Sequence, residues 1–207
     1  METKIFELRD FTAVSLSGGM YASIVQGDEF KVAVTLDKKL FEYLDIHIHN
    51  HTLIITRKKD VHLQISHYEV AVTMPAITRL NIAGSVDTAL SGFNDPSASL
   101  HMNISGSGQI SADIAVKNIR ITVGGSGSVD LKGSAEKLHC AIAGCGTVNA
   151  FGCNVSKAHT SISGSGLIEI NAEKTLVAAI TGSGHIAYRG QPALKSSIIG
   201  SGFIERA

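Results

Sequence analysis

The chain has no tryptophan, and its aromatic content is only 5%, which is thin for a platform on which bases could stack. Neither sign of charge is in excess: 18 Lys and Arg balance 18 Asp and Glu, so no net field recruits nucleic acid or an anionic membrane. No apolar run approaches the roughly 20 residues that span a bilayer, and no charged-then-apolar leader opens the chain. Met1 runs almost directly into a strand, which fits either a cytosolic protein or an exported one whose leader lies outside this sequence. Proline occurs three times against 21 glycines, a balance that fits ordered, repeated turns and not a disordered low-complexity chain. At 207 residues the chain is long enough to bury a sizeable core as one long domain or two small ones.

Cysteine is also scarce. Cys140, Cys145 and Cys153 fall close together, and an odd count leaves at least one free thiol in the monomer. Zinc would call for more ligands, paired at short spacing. The three therefore read as unpaired small residues in a turn-rich core.

Glycine is what the chain has in pattern. Six apolar strands end in a Gly-x-Gly corner: Ile104-Ser-Gly-Ser-Gly108, Val123-Gly-Gly-Ser-Gly127, Ile142-Ala-Gly-Cys-Gly146, Ile162-Ser-Gly-Ser-Gly166, Ile180-Thr-Gly-Ser-Gly184 and Ile198-Ile-Gly-Ser-Gly202. Their first glycines step by 19, 19, 20, 18 and 18 residues, and a degenerate copy, Ile82-Ala-Gly-Ser85, precedes them. A near-constant step of this size predicts an all-β solenoid with 18–20 residues per coil, each coil stacked on the last. Two residues before the first glycine, and four after it, the positions are Ile or Val throughout the six full copies. These predict two inward columns, one on each side of the corner. The middle of each corner is Ser107, Ser126, Cys145, Ser165, Ser183 or Ser201, so Cys145 replaces a serine. The stacked hydroxyls are expected to hydrogen-bond along the axis or to corner amides.

Before the repeats the pattern differs. Phe11–Leu16 and Phe30–Leu36 alternate with period two, as half-buried strands do, with turns at Ser17-Gly-Gly19 and Gln26-Gly-Asp28. Asp37 caps a short helix carrying Leu40, Phe41 and Leu44, and Ile46–Ile48 and Leu53–Thr56 flank a hairpin turn at His49-Asn-His51. The expected division is residues 1–75, β-rich with one short helix and packed on the solenoid, and residues 76–207, the repeats. The boundary is soft, and one continuous domain is the alternative.

One outward column is chemically distinctive. Five residues before the first glycine stand Arg79, His101, Arg120, His139, His159, Val177 and Lys195. Stacked coils would make of them a vertical basic stripe, a candidate surface for an anionic polymer such as an acidic glycan. The opposing reading is an ordinary polar exterior, since three of the six basic groups are histidines, largely neutral at pH 7. Five residues after the glycine, the column Ser111, Asp130, Asn149, Glu169, Ala187 and Glu205 runs polar to acidic. His47, His49 and His51 invite a metal, but no carboxylate or cysteine follows at ligand spacing, so they read as solvent-facing. Val129 stands where a calcium-binding glycine repeat needs aspartate. No Gly-Lys-Ser/Thr ends a phosphate loop, and no complete Gly-x-Ser-x-Gly elbow occurs. No acidic column recurs to serve as acid and base, and no motif calls for a catalytic residue, a metal or a cofactor.

Phe11-Thr-Ala-Val-Ser-Leu-Ser-Gly-Gly19, Val25-Gln-Gly-Asp28 and the repeated Ile-Ser-Gly-Ser-Gly corners together resemble the putative auto-transporter adhesin family, head GIN domain. The resemblance runs from about Phe11 to Ile204. It implies a right-handed single-stranded β-helix and an envelope protein of Bacteroidetes-type bacteria, periplasmic or at the cell surface, with a leader or lipid anchor outside this sequence. It implies no catalytic residues. The function expected is a non-enzymatic adhesin whose partner is a surface glycan or envelope protein, with a homo-oligomer through the open solenoid end as a further possibility. The rival reading is a carbohydrate-active β-helix enzyme such as a polysaccharide lyase, which would gather acidic and basic residues in one cleft. A left-handed hexapeptide acyltransferase is disfavoured, because the six-residue interval from Ile104 to Ile110 breaks down in the following stretch.

Overall fold

A computed structural model describes residues 1–58 and 68–207. The strands are β1 (Glu2–Phe6), β2 (Ala13–Gly18), β3 (Met20–Gln26), β4 (Lys31–Leu36), β5 (Leu44–His49), β6 (Thr52–Arg57), β7 (Tyr68–Met74) and β8 (Arg79–Gly84). They continue with β9 (Asp87–Gly106), β10 (Gln109–Gly125), β11 (Ser128–Gly144), β12 (Thr147–Gly164), β13 (Leu167–Gly182), β14 (His185–Arg189), β15 (Ala193–Gly200) and β16 (Phe203–Arg206). Together they form a β-solenoid of about 7 turns, as the repeat predicts.

Each coil lies in parallel register on the one before. Ile104 pairs with Val123, Val123 with Ile142, Ile142 with Ile162, and Ile162 with Ile180. Both expected inward columns are buried: Ile104, Val123, Ile142, Ile162 and Ile180 on one side, Ile110, Val129, Val148, Ile168 and Ile186 on the other. Each such side chain contributes on the order of 1.5–3 kcal/mol by leaving water. Buried residues from Phe11 to Ile186 form one contiguous cluster. At the far end Ile198 is 43% exposed, and β15 is exposed along its whole length, paired among the described strands with β13 alone.

The two glycines of a corner answer different needs. Gly106 has φ +121°, where L side chains are strained, and a Cβ there would stand 2.8 Å from the Gly84 carbonyl oxygen. Gly108 has no such φ, but a Cβ would stand 2.7 Å from the Val86 carbonyl oxygen. The corner is closed by main chain: the Ser107 and Ser126 amides donate to the carbonyls of Gly84 and Gly106, each at 3.0 Å. Because these amides donate to main-chain carbonyls, the hydroxyls of the corner serines, which are exposed, are not what satisfies them. That corrects the expectation of a structural serine ladder.

The repeat also starts earlier than the glycine spacing reveals. β2 pairs in parallel with β8, with Gly18 opposite Gly84, and β3 pairs with β9. Ser17-Gly-Gly19 is therefore a corner of the same column and not an isolated turn. β6 and β7 lie against β2 and β3 as one more layer. The chain thus threads a coil at β2–β3, leaves to build the outer layer, and returns at β8. That excursion, from Gly27 to Ile77, hides the first corner from a fixed-step search. Antiparallel strands finish this end: β5 on β6, β4 on β7 and β1 on β4. The short helix is 3₁₀, Lys38–Tyr43, and Asp37 caps it by accepting from the Lys39 amide at 3.0 Å. The hairpin turn is Asn50-His51, both residues having positive φ, as a tight two-residue hairpin connection requires.

Candidate ligand-binding face

The strand segment that leads into each glycine corner alternates inward and outward, so its outward residues form columns along the solenoid axis. The register places Arg79 beside His101, His101 beside Arg120, Arg120 beside His139, His139 beside His159, His159 beside Val177, and Val177 beside Lys195. All six basic residues of the stripe are therefore brought into one line. Neighbouring strands are about 4.8 Å apart, so the line samples a ligand at that pitch.

A second column, two residues back, was not singled out from the sequence: Ser99, Asn118, Lys137, Lys157 and Thr175. Tabulating the residue seven before each first glycine would have found it. The two columns line a shallow groove of about 510 Å³ that carries His101, Arg120, Lys137, His139, Lys157 and His159 and, among the described residues, no carboxylate. On the other side of the stripe the outward residues are small or neutral: Asn81, Asn103, Thr122, Ala141, Ser161, Ala179 and Ser197. The Asn103 side-chain amide donates to Asn81 at 2.7 Å, and Asn118 to the Ser99 hydroxyl at 2.9 Å.

The groove is electrostatically positive in its effect on its own members. Partial burial, then the guanidinium charges of Arg120 and Arg79, holds His101 below the usual histidine range. Partial burial, then Arg120 and His159, does the same to His139. The His139 and His159 rings stack with centroids 5.0 Å apart and planes 17° from parallel. None of the ion pairs among the described residues involves a groove residue.

The acidic column is also in register, with Ser111 beside Asp130, then Asn149, Glu169, Ala187 and Glu205. It belongs to the segment that follows the corner and so lies apart from the basic columns. The three N-terminal histidines take separate partners. His47 Nδ1 lies 2.9 Å from Asp45 Oδ1, His51 Nδ1 lies 2.9 Å from the Asp10 carbonyl oxygen, and His49 Nε2 lies 3.1 Å from Asn50 Nδ2. Among the described residues no three His, Cys, Asp or Glu side chains cluster as metal ligands. Cys140 and Cys153 are buried and Cys145 is exposed, and all three are free thiols.

Comparison with known proteins agrees with this architecture. The family described as putative auto-transporter adhesin, head GIN domain, matches residues 10–192, and the chain belongs to that family. No curated protein matches the sequence. Among solved structures, a protein described as a putative lipid binding protein from Parabacteroides distasonis ATCC 8503 is 27% identical, with a TM-score of 0.82 over 100% of this chain and 96% of its own. A putative adhesin from Bacteroides fragilis NCTC 9343 is 19% identical with a TM-score of 0.88, again covering 100% and 96%. A putative adhesin from Parabacteroides distasonis ATCC 8503 is 24% identical with a TM-score of 0.80, at the same coverage. At such identity the last two speak for the fold alone.

Proposed function

We propose, proceeding from that family membership, that the chain is a non-enzymatic envelope protein that adheres to an anionic polymer through its basic face. The observation that carries this reading is a groove with six basic side chains in register and, among the described residues, no acidic one. A formal net charge of zero makes that segregation informative: the carboxylates are present in equal number but stand elsewhere. Rigid β-coils hold the ladder in place before a ligand arrives, so little entropy is lost in ordering it. A repeating anionic chain laid along the axis would meet the same chemistry at every rung.

The rival enzymatic reading has less to work with. A polysaccharide lyase would need acid and base chemistry in one cleft, and here the acidic and basic columns occupy different segments of each coil. A lipid ligand, the description attached to one relative, would have to lie on the surface, because the inward columns are filled by packed side chains.

The test is a glycan array probed with the purified chain at pH 6 and pH 7.5. Selective binding to acidic glycans, lost in the His101→Ser, Arg120→Ser, His139→Ser triple variant, is the expected result. Silence at both pH values would overturn the proposal and point to a protein partner, to be sought by pull-down from envelope extracts.

A further inference from the structure

Resting on that reading of the basic face, the geometry points to a discrete oxyanion subsite on it. We propose that Lys137, His139, Lys157 and His159 form a four-cornered site for a sulfate or phosphate ester carried on a glycan chain. Lys137 stands beside Lys157, and His139 beside His159, on adjacent strands. The corners are therefore separated by about 4.8 Å across strands and roughly 6.6 Å along them. Long lysine stems and two imidazoles reaching in from four corners suit a tetrahedral group, whose oxygens point in several directions. A carboxylate offers two oxygens in one plane and would engage fewer corners at once.

Three further observations single out this part of the face. Lys137 and Lys157 are the one case, in the two columns that line the groove, of permanent cations on neighbouring rungs; Arg79 and Arg120 have His101 between them. Like charges side by side in a sheet are destabilising, so an incoming anion has the most repulsion to relieve there. Secondly, Arg120 sits on the next rung beside His139 and adds a third permanent cation. Thirdly, the His139 and His159 rings are stacked face to face. Two imidazoles share that stack without charge repulsion when neutral, and an anion between the lysines and the rings would favour the charged form of His139.

Binding is therefore coupled to proton uptake. The groups that face His139 are Arg120 on β10, His159 and Lys157 on β12, and Lys137 on its own strand; His159 faces His139, Lys157 and the uncharged Val177. All the charged ones are cationic, and partial burial, then Arg120 and His159, holds His139 below the usual histidine range. An anion at the centre reverses the balance. Each imidazole that gains a proton on binding raises affinity by up to about tenfold per pH unit between its free and bound pKa values.

A polymer is favoured over a membrane headgroup because the groove is shallow, extends over several rungs and offers Val177 as its one half-exposed large apolar side chain. The experiment uses the full chain with two probes of matched charge density, dextran sulfate and carboxymethyl-dextran, and vesicles of phosphatidylcholine with phosphatidic acid. Dextran sulfate should bind at least tenfold tighter than carboxymethyl-dextran, and tighter at pH 6 than at pH 7.5. The Lys137→Ser, Lys157→Ser double variant should lose that preference while keeping its circular dichroism spectrum. In histidine NMR titrations, the His139 pKa should rise when dextran sulfate is added. Equal binding of both polymers, or a double variant as tight as the parent, overturns the subsite while leaving the basic-face reading in place. Vesicle binding in preference to either polymer overturns the glycan assignment. No binding to any probe at low salt removes both proposals together.

Discussion

Substituting Gly106 by alanine isolates what the corner glycine does. Its φ of +121° and the 2.8 Å approach of a built Cβ to the Gly84 carbonyl oxygen are two separate penalties. Backbone strain of this kind costs about 1–3 kcal/mol, and forcing an extra carbon into a filled space costs roughly another 1–3 kcal/mol. The Gly84 carbonyl cannot simply retreat, because it accepts from the Ser107 amide that closes the corner. A total near 4 kcal/mol is expected, a large part of the stability of an ordinary domain. Two other glycines separate the terms. Gly92 has φ +86°, but its Cβ would come no closer than 3.5 Å to any atom, so Gly92→Ala should lose only about 1–2 kcal/mol of strain. Gly124 has neither a positive φ nor a contact under 3.7 Å, so Gly124→Ala should be neutral or stabilising by about 0.4–1 kcal/mol through the unfolded chain. Urea midpoints by far-ultraviolet circular dichroism give the ranking. If Gly106→Ala loses no more than Gly92→Ala, or Gly124→Ala is as damaging as either, the account of the corner is wrong.

Other expectations follow from the core. Burial pushes the Cys140 and Cys153 thiols up to about 12, whereas Cys145 is exposed, so a thiol-specific chromophore at pH 8 should label one cysteine quickly and the others only on unfolding. Three fast equivalents would contradict the packing. Tyr68 is likewise raised to about 12 by burial, and with the two thiols it binds its proton more tightly folded than unfolded. Stability should therefore hold below about pH 9 and fall toward pH 12, and Tyr68→Phe should flatten the part above pH 10; an unchanged alkaline limb would refute the assignment. Thr88 occupies an inward position beside Ile110, buried, with its hydroxyl unpartnered among the described residues. Thr88→Val should stabilise by about 1–3 kcal/mol, and a lower melting temperature would show that the hydroxyl has a role.

Legibility in the sequence followed the distance over which each pattern repeats. The corner step and the two inward columns recur six times, so Ile104 to Ile204 could be aligned; burial follows as far as Ile186 and fails at the open end, where Ile198 is exposed. The stripe followed from the same alignment, because a parallel stack turns equal offsets into neighbours. The coil of β2 and β3 was not legible as a coil: its partner strands β8 and β9 come 66 residues later, and no 18–20-residue step connects Gly18 to Gly84. The serine ladder was misread for a different reason. Either a serine hydroxyl or a main-chain carbonyl could accept from a corner amide, and sequence does not say which; the coil geometry settles it by placing each Gly carbonyl 2.9–3.0 Å from the next corner's amide. Lys137 and Lys157 escaped notice because their column is otherwise neutral, so no single-column pattern draws attention to it.

The spacing of charge along the solenoid separates stability from function. In the acidic column, Asp130, Glu169 and Glu205 are divided by Asn149 and Ala187, so no two carboxylates share neighbouring rungs. The basic stripe follows the same rule at neutral pH, with histidines interleaved among Arg79, Arg120 and Lys195. A stack selected for stability alone would apply that rule everywhere, since unit charges about 4 Å apart in water repel by about 1 kcal/mol. Lys137 and Lys157 break it. Removing one of them should then stabilise the fold: Lys157→Ser is expected to gain on the order of 0.2–1 kcal/mol at low salt. The gain should vanish in about 1 M salt, where screening acts within roughly 3 Å. The same variant should bind dextran sulfate more weakly. Opposite signs for stability and binding would mean that the pair is kept for a ligand and against the fold. A variant that loses both would instead make the pair structural, with the lysine stems packing on the sheet.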